Sequence, residues 1–252
     1  MDVSASSAAS SASSTSSALP HHAGRQPALL AIDEGALVWT LPARFGPDDL
    51  AAALESRPLL VLLHGYGADE HDLAGLAPEL VSDAVVASLR APLPAQGGYA
   101  WFPIEDVASA GSPDPAIAAA ATAGVLTWLE RVRAMAGTPG PVGVLGFSQG
   151  GAMVTHLLRN RPDLFRCGVV LSGFHVPGPV AGDEALAQIR PPVFSCYGSA
   201  DPLLPPEVFA ATTAFLTSHT DVTVTEYPGL GHGVSTAEVA AVANFLRTHL
   251  TS

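Results

Sequence analysis

The sequence predicts an α/β fold with a mostly parallel central sheet and helices on both of its faces. Short apolar segments typical of strands alternate with helical segments almost without exception from residue 58 onward. This alternation is typical of parallel strands joined by crossover helices. In addition, the run "PLLVLLHGYG" (58–67) is continuously apolar until glycines end it, as expected of a strand that is covered on both faces.

Two segments of the N-terminal half have patterns of their own. The stretch "ALLAIDEGALVWTLP" (28–42) contains two apolar runs around Asp33-Glu34-Gly35, and we interpret it as a hairpin. The alanine-rich stretch 116–136 places Leu126, Leu129 and Val132 on one face at helical spacing, which predicts a long helix.

The other elements follow from the same reasoning. Strands are predicted over 58–67, 84–92, 141–147, 167–173, 191–198 and 221–227, and helices over about 70–81, 149–160, 206–218 and from Ser235 to the C-terminus. Ser235 and Glu238 have the spacing of a capping box, which marks the start of the last helix.

Length and composition favour one globular domain. The chain has 252 residues, of which 48% are hydrophobic, and a formal net charge of −12. This charge argues against nucleic acid or an anionic membrane as the main partner. No apolar run reaches the length of a membrane span, so we expect no stable membrane insertion.

The N-terminal residues 1–27 form a Ser/Ala-rich tail that we expect to be disordered, because it cannot bury enough apolar surface. The α/β domain is therefore predicted over 28–252. The tail has neither the basic start nor the apolar centre of a signal peptide, and we expect a cytoplasmic protein.

The two cysteines, Cys167 and Cys196, form neither a disulfide framework nor a C-x-x-C motif. Both are interpreted as buried, unpaired thiols in strands. Aligning the strand ends at Gly173 and Gly198 places Cys196 beside Leu171. Cys167 then lies about 13 Å away along its strand, too far for a disulfide.

The pentapeptide Gly146–Gly150, "GFSQG", fits the pattern G-x-S-x-G. In this pattern a serine occupies a sharp turn from strand to helix with its hydroxyl exposed. Alone, the motif is a weak signal in a chain with 24 glycines. Whether the motif is functional depends on which residues follow the other predicted strands.

Three chemically complementary side chains follow the carboxyl ends of predicted strands. Ser148 follows strand 141–147, Asp201 follows strand 191–198 and His232 follows strand 221–227. Ligand sites of open α/β sheets form at this edge. A serine needs a base to become nucleophilic, and the base needs a carboxylate to hold its tautomer. The order Ser, Asp, His is that of an α/β-hydrolase triad.

The other aspartates and histidines of the chain are less suitable as the acid and the base. Asp163 and Asp221 are predicted at the opposite edge of the sheet, and Asp183 at the start of a surface helix. His64 is interpreted as positioning its glycine-rich loop rather than as a base. A substrate contact remains an alternative for His175, while surface positions are predicted for His71, His156, His219 and His249.

These motifs resemble the phospholipase/carboxylesterase family of α/β-hydrolases, which includes the acyl-protein thioesterases. The matching stretches are "LLHGYGADEHDL" (62–73), "WFPI" (101–104), "GFSQGGAM" (146–153), "LSGF" (171–174), "GSADPLLP" (198–205) and "GLGHGV" (229–234). The resemblance implies Ser148 as nucleophile, His232 as base and Asp201 as its orienting acid. It also implies an oxyanion hole formed by the backbone N–H groups of Tyr66 and Gln149.

The resulting expectation is a serine esterase that needs no cofactor and no metal. Its substrate would be a small-molecule acyl ester, with thioesters and lysophospholipids as further candidates. Trp101, Phe174 and Leu203 are candidate pocket residues, with a plain core role as the alternative for each. An acyltransferase with the same triad and a non-catalytic binding protein on this scaffold remain alternatives. We expect a monomer or a homodimer.

Overall fold

A computed structural model describes residues 30–104, 113–137 and 139–252. Its central sheet has seven strands in the order β1-β3-β2-β6-β7-β8-β9, and β4 and β5 form a separate hairpin. The strands are β1 (Val38–Thr40), β2 (Leu59–Leu63), β3 (Val85–Leu89), β4 (Leu93–Ala95), β5 (Gly98–Ala100), β6 (Val142–Phe147), β7 (Cys167–Leu171), β8 (Pro192–Gly198) and β9 (Asp221–Tyr227).

All neighbouring strands of the central sheet run parallel, except β1, which pairs antiparallel with β3. The carboxyl ends of β2, β6, β7, β8 and β9 therefore lie along one edge. Loops that leave this edge can bring residues distant in sequence into one site.

Helices cover both faces of the sheet, as the sequence predicts. They are α1 (Leu50–Ser56), α2 (Ala77–Leu80), α3 (Pro115–Met135), α4 (Gln149–Asn160), α5 (Asp183–Ile189), α6 (Pro206–His219) and α7 (Thr236–His249). Buried side chains of α2 and α7 belong to one hydrophobic cluster, and those of α1, α3, α4, α5 and α6 to the other. No helix in these described ranges is long and apolar enough to cross a membrane.

Strand β2 shows why its sequence is apolar throughout. Leu59, Val61 and Leu63 pack into one cluster, while Leu60 and Leu62 pack into the cluster on the other face. Successive side chains of a strand point to opposite faces, so a strand covered on both sides has no polar position.

The predicted hairpin over 28–42 is wrong for the part that the structure describes. Residues 30–33 form no strand, and Glu34–Ala36 form a short 3₁₀ turn capped by the Asp33 side chain, which accepts from the Gly35 N–H. The backbone of Leu30 instead lies against α3, where a Cβ on Gly124 would come within 1.9 Å of the Leu30 oxygen. Contact with that helix replaces pairing with β1.

Three other differences concern short elements. Helix α1 and the β4–β5 hairpin are absent from the prediction, and the helix predicted over 70–81 is shorter. Its regular part is a 3₁₀ turn at Ala74–Leu76 that continues into α2. The predicted tail, residues 1–27, lies outside the described residues.

The predicted register of the two cysteines is confirmed. Leu171 is paired with Cys196 in the β7–β8 ladder, and both cysteines are buried and free. The capping box at Ser235 and Glu238 is also confirmed.

Candidate active site

Ser148 occupies a strained turn between β6 and α4. Its backbone has φ 53° and ψ −114°, a conformation that residues with a side chain rarely adopt. A Cβ on Gly146 would lie 2.1 Å from the Gly150 oxygen, and one on Gly150 would lie 1.9 Å from the Leu63 oxygen. The two glycines of the motif are therefore required by the close approach of the chain around the serine.

His232 and Asp201 are hydrogen-bonded. The distance from His232 Nδ1 to Asp201 Oδ2 is 2.7 Å, and their side chains are only 11% and 1% exposed. The other carboxylate oxygen accepts from the backbone N–H groups of Leu203 and Leu204, at 2.8 and 3.0 Å. Asp201 is thus fixed by its own loop and holds one nitrogen of the His232 ring.

The loops that carry Asp201 and His232 are joined along their backbones. The Ser199 N–H donates to the Tyr227 oxygen, and the Ala200 N–H donates to the Leu230 oxygen, each at 3.0 Å. The Ser199 hydroxyl accepts from the Gly229 N–H at 2.9 Å. These bonds fix one loop against the other.

Gln149, directly after the serine, anchors a neighbouring loop through its side chain. Its Oε1 accepts from the Trp101 N–H at 2.8 Å, and its Nε2 donates to the Phe102 oxygen at 2.7 Å. The residue is 1% exposed. Its backbone N–H is one of the two predicted oxyanion donors, and the side-chain bonds fix the residue that carries this N–H.

The segment that carries Tyr66 is fixed by His64 and by the hairpin. His64 is fully buried; its Nε2 accepts from the Ala91 N–H at 3.0 Å, and its Nδ1 donates to the Gly65 oxygen at 2.7 Å. Burial lowers the pKa of His64. The Gly67 N–H donates to the Tyr99 oxygen in β5. This geometry supports the interpretation of His64 as a neutral anchor.

A cavity of about 380 Å³ opens at this edge of the sheet. Ser148, Gln149, Tyr66 and His232 all contribute to its wall. The remaining lining is mostly apolar and consists of Gly65, Ala68, Asp72, Ile104, Phe147, Phe174, Leu203 and Leu204.

Two of the three predicted pocket residues, Phe174 and Leu203, line this cavity. Trp101 does not: its side chain is fully buried, and its Nε1 donates to the His64 oxygen at 2.9 Å. For Trp101 the core alternative therefore applies. The indole needs a hydrogen-bond partner when it is buried, and the His64 carbonyl provides one.

Several wall residues are missing from the sequence analysis, notably Asp72, Phe147 and Ile104. Phe147 is the variable residue before the serine, and its ring lies 5.0 Å from that of His232. Asp72 lies within the matched stretch 62–73, which is the signal that could have identified it. Ile104 and Phe147 likewise lie within matched stretches, 101–104 and 146–153.

The rejected aspartates have other partners. Asp163 is paired with Arg161, and Asp221 begins β9 at the opposite edge. Asp183 is the first residue of α5, as predicted, and forms two hydrogen bonds with Arg159, which is 2% exposed.

Among the other histidines, His175 stacks on Phe215 with centroids 5.2 Å apart and is outside the cavity wall. His71 is exposed as predicted, whereas His219 and His249 are half-buried. The surface position predicted for His156 is wrong, because α4 is covered by both the sheet and α3.

One group of metal-ligand side chains occurs in the described residues, at Asp69, Glu70 and His71. Both oxygens of Glu70 accept hydrogen bonds from Arg90, at 2.7 and 2.5 Å. The guanidinium group thus already compensates the Glu70 charge, and the cluster lies outside the cavity wall.

Comparison with known proteins agrees with this architecture. The sequence profile described as Phospholipase/Carboxylesterase matches residues 50–250. A protein of Oryza sativa subsp. japonica named "Probable carboxylesterase" is 29% identical over 231 residues, which cover 83% of this chain and 85% of that protein.

Solved structures show the same fold. The carboxylesterase from Mesorhizobium loti is 25% identical, with a TM-score of 0.67 over 79% of this chain and 92% of that one. The Bacillus cereus carboxylesterase has a TM-score of 0.69 at 20% identity, over 84% and 93% of the two chains. The chain therefore belongs to the phospholipase/carboxylesterase family and is an esterase of the α/β-hydrolase fold.

Proposed function

We propose that this protein hydrolyses carboxylic esters through an acyl-enzyme on Ser148. The observation that carries the proposal is the 2.7 Å bond between His232 and Asp201 at the wall of a cavity that also contains Ser148. A carboxylate bonded to Nδ1 keeps the proton on that nitrogen and leaves Nε2 as the base.

In the first half of the reaction, the Ser148 hydroxyl oxygen attacks the ester carbonyl carbon while His232 accepts its proton. The tetrahedral intermediate collapses, the bond to the leaving oxygen breaks, and His232 donates its proton to the departing alcohol. In the second half, His232 activates a water molecule, which attacks the acyl-enzyme and releases the acid and the free serine.

The oxyanion of each intermediate would accept hydrogen bonds from the backbone N–H groups of Tyr66 and Gln149. One such donor typically contributes about 3 kcal/mol to lowering the barrier. Both residues contribute to the cavity wall, and both segments are fixed by the buried contacts of His64 and of the Gln149 amide. Fixed donors need no reorganisation during the reaction, which supports this role.

The mostly apolar lining favours substrates that bury apolar surface in the cavity. A volume of about 380 Å³ lies near the lower end of the range of about 300–1,000 Å³ typical of ligand pockets, which favours short and medium chains. Thioesters and lysophospholipids remain candidates within the same chemistry. Rates over a series of acyl lengths, on matched oxygen esters and thioesters, separate these substrate classes.

The test of the mechanism is covalent labelling by a fluorophosphonate probe combined with Ser148→Ala. We expect the wild type to be labelled once at Ser148, and the variant to lose labelling and about 10⁶-fold in kcat. Ser172→Ala is a matched control, because Ser172 also follows a strand with positive φ and its buried hydroxyl has no partner in the described residues.

An intact wild type that is not labelled would favour the non-catalytic binding protein. Formation of a new ester when alcohols are added would favour the acyltransferase. Activity of Ser148→Ala within tenfold of wild type would contradict the assignment of the nucleophile.

A further inference from the structure

One acidic residue outside the predicted triad contributes to the cavity wall. Asp72 follows the segment of Tyr66, and its residue is exposed while also lining the cavity, so it lies where the cavity meets solvent. Within the described ranges, no hydrogen bond or ion pair engages its side chain. The neighbouring acids differ: Asp69 accepts from the His71 N–H, and Glu70 is paired with Arg90.

A structural explanation for Asp72 is not supported by its surroundings. The 3₁₀ turn at Ala74–Leu76 has Leu73 as its N-cap residue and no side-chain cap. In the described backbone Asp72 takes part in one hydrogen bond, in which its N–H donates to the Asp69 oxygen at 3.2 Å. Any acid or amide side chain could stand there without changing that bond.

The carboxylate has a partly dehydrated environment. Partial burial raises the pKa of Asp72; His64 acts against this shift, and the nearby Asp69 carboxylate adds to it. At about pH 8 the group is nevertheless ionised, since the ordinary pKa of an aspartate is about 3.9. A cation placed in the cavity would therefore meet a negative charge that no protein cation in the described residues neutralises.

Aromatic rings complete this environment. Tyr66, Phe147 and Phe174 line the same cavity, and Tyr66 is 41% exposed. Aromatic faces together with a carboxylate are the groups that recognise quaternary ammonium ions, which are large and weakly hydrated. The apolar wall would accept the methyl groups of such an ion, and the carboxylate and ring faces would offset its charge.

We propose that Asp72 is a specificity-determining residue that makes this esterase prefer esters carrying a quaternary ammonium group over neutral and anionic ones. The proposal rests on the proposed function, because it assumes that the ester is hydrolysed in this cavity. It identifies a substrate class: small esters with a trimethylammonium group on the alcohol or on the acyl chain.

The test compares isosteric esters at about pH 8. In the first pair, acetylcholine is compared with the neutral acetate ester in which a tert-butyl group replaces the trimethylammonium group. In the second pair, two phenyl esters differ by the same replacement on the acyl chain. We expect kcat/KM of the cationic member to exceed that of the neutral member by about tenfold in one of the two pairs. The pair in which the cationic ester is preferred shows whether Asp72 acts on the alcohol group or on the acyl group of the ester.

Variants and salt identify the cause of the preference. In Asp72→Asn the ratio should fall to within about twofold of one, whereas Asp69→Asn, which removes the neighbouring charge outside the cavity wall, should keep the wild-type ratio. In the wild type, salt should reduce the ratio, because an exposed carboxylate is screened. Tetramethylammonium should inhibit hydrolysis of the neutral ester in the wild type more strongly than in Asp72→Asn.

Two outcomes would overturn the proposal: a wild-type ratio of one or less in both pairs, or an Asp72→Asn ratio equal to that of the wild type. These results leave ester hydrolysis itself intact, because the neutral ester is still cleaved. If the wild type cleaves no ester of either pair, the proposed function fails and the substrate class fails with it.

Discussion

The carboxylate of Glu238 accepts a hydrogen bond from the thiol of Cys196, with Sγ and Oε1 3.3 Å apart. Its other oxygen accepts from the backbone N–H and the hydroxyl of Ser235, at 2.6 and 2.9 Å. Cys196 lies in β8, shortly before Asp201, and Ser235 shortly follows His232. This fully buried carboxylate therefore connects the two chain segments that carry the proposed acid and base.

Glu238→Ala should lower kcat by about ten- to a hundredfold with little change in KM, because small displacements of catalytic groups are costly. The measurement is steady-state kinetics at a temperature where circular dichroism shows the variant folded. Asp114→Ala is the control, since it removes a side-chain cap of α3, the bond from the Ala116 N–H at 2.8 Å, far along the chain from His232. Equal kinetic effects of the two variants would assign Glu238 a purely structural role.

Asp201→Asn should lower kcat by about 10⁴-fold, because the amide stabilises the wrong tautomer of His232. Asp183→Asn should act on stability instead. Arg159 would lose its charged partner, which we expect to lower the free energy of unfolding by about 2 kcal/mol, given that the Asp183 side chain is 23% exposed. Kinetics and urea unfolding of both variants check this. Near-normal rates in Asp201→Asn with a large loss in Asp183→Asn would reverse the assignment of the acid.

Acidification should destabilise the protein through His156. Its Nδ1 accepts from the Asn160 amide and lies 3.0 Å from Thr122 Oγ1. Burial, and then the charge of Arg159, lower its pKa to about 4. Because the unfolded chain binds this proton near pH 6.5, stability is complete above that pH and falls as the pH drops toward 4, by up to about 3 kcal/mol.

The measurement is the free energy of unfolding in urea at several pH values for wild type and His156→Gln. The variant should lose less stability between pH 6.5 and 4, since glutamine still accepts a hydrogen bond but does not titrate there. Other titrating groups are common to both proteins and cancel. Identical pH dependence in the two proteins would contradict the role of His156.

Both thiols should be inert in the native protein. Burial raises the pKa of Cys167 to about 12, and burial together with the Glu238 carboxylate raises the pKa of Cys196 as well. At about pH 8 both are then protonated and inaccessible, and the thiolate is the reactive form. A thiol reagent should titrate two groups in denaturant without reductant and neither of them rapidly in buffer. Rapid reaction of the native protein would show that a strand opens locally.

The parallel sheet and the positions of Ser148, Asp201 and His232 at one edge of it could be predicted because each depends on a local pattern. A buried strand is a short apolar run, and the residue after it lies at a known edge of the sheet. Even the pairing of Leu171 with Cys196 follows from aligning two strand ends. These features are encoded within single segments of the sequence and do not depend on contacts with distant residues.

The rest depended on contacts that no segment encodes alone. The β4–β5 hairpin is short and is held by a bridge from Ala68 to Tyr99, and the Gln149 side chain holds the two residues that follow it. The burial of His156 results from the packing of α3 on α4, and the course of Leu30 results from the space above Gly124. Each of these features depends on a residue far along the chain. The local sequence pattern therefore predicted it wrongly or did not predict it at all.

The double role proposed for Gln149 links two properties that protein engineers usually try to vary independently. Its backbone N–H is a proposed oxyanion donor, while its side chain holds the loop at Trp101 and Phe102, beside which Ile104 enters the cavity wall. Grafting a foreign loop over residues 93–104 to change the acyl range would also disturb the support of that donor. We therefore expect that exchanging this loop without its hydrogen bonds to the Gln149 side chain changes the rate of turnover together with the substrate selectivity.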